Sequence, residues 1–187
     1  DSNNNVSSRI IRKNQSQIEM KIYPLLTILI VLSFFGLFLF QLFSNPSTYE
    51  FKEKKLIPFD SNLLNGDPYT SDDLKNDSLS LLNVWATWCV GCRLEHTYLM
   101  ELERKGITII GINYKDEKEK AFKWLDQFGN PYQQNVFDDQ GEIGFLLGVS
   151  GAPETFAIKD GNSIVMHHVG VLDDKVWKIK FAPLFEK

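Results

Sequence analysis

The chain has 187 residues, room for one ordinary domain and not comfortably for two. It is 43% hydrophobic and 24% charged, as folded proteins are, and its formal net charge of -4 argues against a nucleic-acid partner, which needs a basic surface. Two cysteines are too few for a disulfide-rich secreted scaffold, or for a zinc site built from cysteine alone.

Charge is distributed unevenly. No charged residue occurs from Ile22 to Tyr49. Ile22–Phe43 (IYPLLTILIVLSFFGLFLFQLF) is 22 residues long, enough for a helix to cross a ~30 Å hydrocarbon core at ~1.5 Å per residue. A helix apolar on every face for this length predicts a transmembrane anchor. A cleaved signal peptide has a shorter core, roughly 7–15 residues, ending in a small-x-small site. Ser44-Asn45-Pro46-Ser47 is a poor version of such a site, so retention is expected. Residues 1–21 carry Arg9, Arg12, Lys13 and Lys21 against Asp1 and Glu19, a net +2, which leaves -6 for the remainder. Basic flanks stay in the cytoplasm. The expectation is one pass through a bacterial inner membrane, with the C-terminal domain in the periplasm. The polar, Asn- and Ser-rich stretch 1–19 reads either as a cytoplasmic tail or as an addition ahead of Met20-Lys21, where a signal anchor would ordinarily start.

Residues 44–53 form a polar linker, and 54–187 the exported domain. Ser78–Trp85 (SLSLLNVW) reads as a buried strand. Cys92–Lys105 reads as a helix with Leu94, Tyr98, Leu99 and Leu102 inward, ended by Gly106. Ile107–Asn113 is a second buried strand. Asp116 is placed to cap a helix to Phe128, with Ala121, Phe122, Leu125 and Phe128 on its apolar face. Gly129-Asn130-Pro131 breaks it. A strand over Gln134–Asp138 and a helix over Glu142–Leu147 follow. Glu154–Ile158 and Ser163–Val169 make a hairpin across Asp160-Gly161-Asn162. Asp173-Asp174 opens a last amphipathic helix through Val176, Trp177 and Phe181. This order predicts an α/β domain, a central sheet flanked by helices. Chemistry in such folds sits where strands turn into helices, here Ala86–Cys92.

Both cysteines lie in that turn, in Trp88-Cys89-Val90-Gly91-Cys92. Cys89 falls at the mouth of the helix, where free backbone N–H groups and the dipole favour a thiolate. Cys92, one turn on, can attack the Cys89 sulfur and release a mixed disulfide. A structural disulfide would close a very small loop and contribute little. A metal site would have to recruit His96, His167 or His168, whose spacings fit no standard pattern. The favoured reading is a redox dithiol with no metal and no cofactor.

Leu81–Cys92 (LLNVWATWCVGC), Arg93-Leu94-Glu95-His96, Gly111–Asp116 (GINYKD), Gly129–Tyr132 (GNPY) and Gly148–Phe156 (GVSGAPETF) together resemble the thioredoxin-like proteins of cytochrome c maturation, the CcmG/DsbE type. The resemblance runs from about Phe51 to the C-terminus. It implies a thioredoxin-like fold with a mixed sheet, and a dithiol reductase with Cys89 as nucleophile and Cys92 as resolving thiol. The implied client is the disulfide of the haem-binding CxxCH in apocytochrome c, or in a haem-lyase component carrying it. The implied electron donor is a membrane protein of the DsbD/CcdA kind. Ala152-Pro153 matches the family's cis-proline, whose backbone pairs with an extended substrate. Glu95, three residues after Cys92, and Glu154, after Pro153, match acidic residues near the dithiol. Asn83 stands where general thioredoxins keep a buried Asp, which would shift the proton work to the glutamates. Trp88 would shield Cys89. Val90-Gly91 replaces a pair that often contains proline, and Thr97 a proline that kinks the helix. His96 reads as a surface residue. Of His167 and His168, on alternate faces of a strand, one reads as buried or paired.

Other readings remain open at this level. A general extracytoplasmic reductase would share the chemistry. A metallochaperone of this fold uses CxxxC with a distal His, a spacing absent here. A pure docking module would survive loss of both cysteines.

Overall fold

The computed structural model describes residues 26–41, 51–76 and 78–185. The chain divides into two compact units, Asp1–Tyr49 and Glu50–Lys187. In the first, residues 26–41 form helix α1, exposed along its whole length. Among the described residues, no helix is long and apolar enough to cross a membrane. The ends of the expected span, residues 22–25 and 42–43, lie outside the described residues, as do the tail 1–21 and most of the linker.

The second unit is built on one mixed sheet. Its described strands are β1 (Lys54–Lys55), β2 (Asp60–Leu63), β3 (Pro68–Thr70), β4 (Leu79–Trp85), β5 (Ile109–Tyr114), β6 (Gln134–Asp138), β7 (Glu154–Lys159) and β8 (Ser163–Val169). The order across the sheet is β1-β8-β7-β4-β5-β6-β2-β3. β4, β5 and β6 are parallel neighbours. β7 runs antiparallel to both β4 and β8. The parallel trio needs crossovers, supplied by α2 (Val90–Arg104) and α3 (Lys118–Phe128). The short helix α4 (Glu142–Leu147) leads from β6 towards β7.

Strand β4 shows why the sheet is central. Leu81 and Trp85 enter one core, with Leu99 and Leu102 of α2, Ala121 and Trp124 of α3, and Phe181. Leu82 and Val84 enter the other, with Ile110, Ile112, Phe156, Ile158 and Ile143 of α4. A strand covered on both faces reads as a nearly unbroken apolar run, and this one does. The expected strands and helices from residue 78 onward are present, and the sheet with helices on both faces is the expected thioredoxin-like α/β architecture.

Details differ. β1, β2, β3 and a 3-10 turn, Ser71–Asn76, fill a stretch in which the sequence offered no strand. They are short and polar, with no period to read. On α2 the buried stripe is Cys92, Glu95, His96, Leu99 and Leu102, while Leu94 faces solvent. On α3, Ala121 and Leu125 are buried as expected, but Trp124 joins them and Phe122 is 46% exposed. Asp116 does not cap α3; that position is Glu117, which makes no side-chain cap bond. The last segment begins as expected, with the Asp173 carboxylate accepting the Val176 N–H at 2.8 Å. It continues through a π-helical turn, Trp177–Phe181, rather than as one regular helix.

Candidate active site

The site is the junction of β4 and α2. β4 ends at Trp85, and the chain turns through Ala86, Thr87 and Trp88 before α2 begins. Cys89 is the N-cap of α2, and its Sγ accepts the Cys92 N–H at 3.0 Å. The two cysteines form a disulfide, with Cα atoms 5.3 Å apart. Cys89 keeps 6% of its surface and Cys92 1%, so approach to Cys89 is the less obstructed. A cap position is where a sulfur anion gains most, because N–H groups point at it and the helix dipole is positive there.

Two loops hold this turn. After β5, Asp116 accepts the Thr87 N–H at 2.6 Å, the Thr87 hydroxyl at 2.7 Å and the Asn113 amide at 3.0 Å. Its carboxylate also takes the Glu117 N–H at 2.8 Å. Trp88, about half exposed, donates its indole N–H to the Lys115 carbonyl at 3.0 Å. Lys115 itself holds a left-handed backbone, φ 48°. Sequence reasoning gave Asp116 a cap role and gave Thr87 none. No signal local to either residue could have paired them.

The second loop precedes β7. The Ala152–Pro153 bond is cis, as the resemblance implied. The Pro153 ring lies against Gly91: a Cβ there would stand 2.8 Å from Pro153 Cδ and 3.4 Å from Val171 Cγ2. The Gly170 N–H fixes the Pro153 carbonyl at 2.9 Å. Gly91 thus lets the proline approach the turn between the cysteines.

Behind the disulfide is a buried polar chain. Glu95, 1% exposed, sits on the same face of α2 as Cys92. Its Oε1 accepts from Asn83 Nδ2 at 2.8 Å, and its Oε2 from the Leu172 N–H at 2.7 Å. Asn83 also donates to Thr155 Oγ1 at 3.1 Å and accepts from the Tyr132 hydroxyl at 2.9 Å. Burial pushes the Glu95 carboxyl up to about 7, against the opposing pull of the Leu172 N–H and the Asn83 amide. Burial, and then the Glu95 charge, hold the Tyr132 hydroxyl well above its usual range. Tyr132 was not singled out as a site residue from the sequence. Its stacking on Trp85, 5.4 Å between ring centroids, places its hydroxyl at Asn83.

Glu154 is fully buried on a different side of the sheet, where it is bonded to Ser150, Gly151 and His167. Burial alone would raise its pKa, but the bonds from Ser150, His167 and Gly151 hold it below the usual carboxylate value. Of the two strand histidines, His167 is thus paired with Glu154, while His168 Nε2 lies 3.2 Å from the Val171 carbonyl. His96 is not a surface residue. It is 5% exposed, its Nε2 donates to the Phe128 and Gly129 carbonyls, and its ring meets Trp124 edge-on at 4.3 Å. It occupies the α3 side of α2, where the broken end of α3 offers unpaired carbonyls.

The sequence compares well with known proteins. Residues 51–180 match the redoxin family. The chain is 50% identical over 123 residues to the thiol:disulfide interchange protein DsbE of Escherichia coli K12, covering 65% of this chain and 66% of that one. It is 54% identical over 108 residues to DsbE of Pasteurella multocida, covering 57% and 59%. The chain therefore spans less than two-thirds of the length of these curated relatives. Among solved structures, a Chlorobium tepidum protein assigned to the DsbE type superposes with a TM-score of 0.55 at 26% identity, covering 68% of this chain and 94% of that one. A secreted thiol-disulfide isomerase of Corynebacterium glutamicum gives 0.60 at 21% identity, covering 76% and 96%, and at that identity shows the fold alone. With the family matched over most of its length and a cystine at the cap of α2, the chain belongs to the redoxin family and is similar, within it, to the thiol:disulfide interchange proteins called DsbE.

Proposed function

We propose that the domain is a protein disulfide reductase whose client is the cystine of a haem-binding CxxCH sequence, in apocytochrome c or in a haem-lyase component carrying it. One observation supports this above the others: the Cys89–Cys92 cystine caps a helix, with Cys89 Sγ on the Cys92 N–H. In the reduced protein the Cys89 thiolate attacks one client sulfur. The client S–S bond breaks, and a mixed disulfide forms. The Cys92 thiolate then attacks Cys89 Sγ and expels the second product thiolate. Two electrons and two protons pass to the client, and the Cys89–Cys92 bond is restored. Cys92 must lose its proton in the second step. Glu95, with a carboxyl near 7 on the same helical face, is suited to accept it. Ala152 and Pro153 provide a main-chain edge for an extended client, and Trp88 covers the turn beside Cys89.

The charge-free run 22–43, with its basic flank, supports a retained anchor in a bacterial inner membrane and a periplasmic domain. A reductant in an oxidising compartment needs electrons from elsewhere. A membrane dithiol carrier of the DsbD/CcdA kind meets that need. No cofactor enters any step.

The test is the reduction potential of the Cys89–Cys92 pair, set by equilibrating the full chain with glutathione or dithiothreitol buffers. A value near or below roughly -270 mV, with reduction of a disulfide-closed CxxCH peptide, is the expected result. A value near roughly -120 mV would make the domain a disulfide donor and overturn the proposal.

A further inference from the structure

Glu154 follows the cis-proline, yet its side chain leaves the dithiol. Along β7, side chains alternate between the two faces of the sheet. Ala157 packs in the core that contains Cys89 and Cys92, and Thr155 bonds Asn83 in the Glu95 network. Phe156 and Ile158 pack in the opposite core. Glu154 shares their face. Its Oε2 meets His167 Nε2 at 2.6 Å, and the His167 ring stacks on Phe156 at 4.1 Å.

The other oxygen is committed too. Oε1 accepts the Ser150 N–H at 2.7 Å, the Ser150 hydroxyl at 2.6 Å and the Gly151 N–H at 3.1 Å. These donors belong to the loop that joins the left-handed Gly148 at the end of α4 to Pro153. Pro153 in turn lies on Gly91, between the cysteines. The loop has no ladder of its own, so the buried carboxylate replaces it. A proton carrier for the dithiol needs an oxygen turned towards the sulfurs. Glu95 lies on that side of the sheet, and Glu154 does not.

We infer that Glu154 is a positioning residue: it fixes the Ser150–Ala152 loop against which the client backbone lies, and takes no part in proton exchange with the dithiol. The inference rests on the reductase reading for its substrate and on the hydrogen bonds alone for its clamp. Charge is not needed for the clamp, since an amide oxygen accepts the same three donors, and the amide N–H of a glutamine can donate to His167 Nε2 in the Nδ1–H tautomer. Glu154→Gln should therefore act nearly as the parent does, and Glu154→Ala should not.

The full chain, reduced, is mixed with a disulfide-closed CxxCH peptide and, separately, with oxidised glutathione, which is too small to lie along the loop. Glu154→Ala should raise the peptide concentration for half-maximal rate about tenfold, and Glu154→Gln should restore it to within about twofold. Glutathione rates, and the pH profile of Cys89 alkylation by iodoacetamide, should stay at parent values in both. Ser150→Ala, which removes only one donor, should fall between them and covers the case where Glu154→Ala does not fold. Amide exchange at Ser150 and Gly151 should quicken in Glu154→Ala but not in Glu154→Gln. If the parent itself does not reduce the peptide, the client assignment fails, and amide exchange alone decides the clamp. A Gln variant as impaired as the Ala variant, a shifted alkylation profile, or equal exchange in all variants would overturn the inference.

Discussion

At Asp116 one carboxylate accepts from Thr87 twice, from Asn113 and from Glu117. Thr87 belongs to the turn that delivers Cys89, so the β5–α3 loop and the redox turn are held as one piece. Asp116→Ala would leave these donors without their acceptor in a partly buried site. The expected loss is about 2–3 kcal/mol in urea unfolding of the oxidised protein, with faster amide exchange at Thr87. Asp116→Asn, which keeps one acceptor oxygen, should recover part of it. No loss in the Ala variant would mean that water replaces the carboxylate at no cost. From the sequence Asp116 reads as a helix cap, because an acidic residue ahead of an apolar period usually is one. The partner that matters to the redox turn, Thr87, is 29 positions away, and nothing in the spacing of either residue points to the other. Glu95 was legible for the opposite reason: it stands three residues after Cys92 on a helix, and helical spacing alone puts both on one face. His96, beside it, was misread because a lone polar residue on a helix is ordinarily solvated, whereas here the frayed end of α3 supplies it with carbonyls.

At the scale of elements, the central strands were readable because burial on both faces writes itself as an apolar run. β4 and β5 carry such runs, and β1 to β3, at or near the sheet edges, do not. The helical faces were half readable. Leu94 and Phe122 are apolar and exposed, while Glu95 and Trp124 fill the positions they were expected to hold. Hydrophobicity marks the period, but a buried carboxylate with partners shifts the phase without announcing itself. The contact between β5 and its neighbours is also set by a residue that carries no side chain. A Cβ at Gly111 would stand 2.5 Å from Asn135 Oδ1, 2.8 Å from Trp85 Nε1 and 2.9 Å from Tyr132 Cγ. Trp85 and Asn135 are themselves hydrogen-bonded at 3.1 Å. None of these is the free end of a flexible side chain, so Gly111→Ala must move a buried ring or strand. The expected cost is about 2 kcal/mol, read as a lowered urea midpoint with unchanged slope. Because Tyr132 holds Asn83 and Asn83 holds Glu95, the same variant should also alter the pH dependence of the redox site. A stable variant with the parent's pH profile would show that β5 and β6 part without disturbing that chain.

For the whole molecule, α2 places two adjacent buried groups with opposite effects on stability against pH. Burial raises the Glu95 carboxyl from 4.5 to about 7. Its contribution is therefore fully present below the unfolded value near 4.5 and is lost as pH rises towards 7, because the unfolded chain ionises first. Burial lowers His96 below 6.5. The unfolded chain then takes up the proton first on acidification, so this contribution is present above the unfolded value and is lost as pH falls below it. The two slopes oppose each other just below the unfolded histidine value of 6.5, and the stability curve of the parent should be flatter there than either group alone would make it. Replacing Glu95 by Gln removes one slope and leaves the other. Relative to that variant, the oxidised parent should lose about 3 kcal/mol of unfolding free energy between pH 4.5 and 7.5, measured by urea titration at several pH values. The absolute level of the variant is secondary, since an amide cannot accept from both Asn83 and Leu172. The comparison rests on the difference in slope. Parallel curves would mean that Glu95 ionises alike in the folded and unfolded chain, and would remove it as the proton acceptor for Cys92. Diverging curves would place its titration near neutrality, where a buried acid beside a dithiol can take a proton in one step and return it in the next.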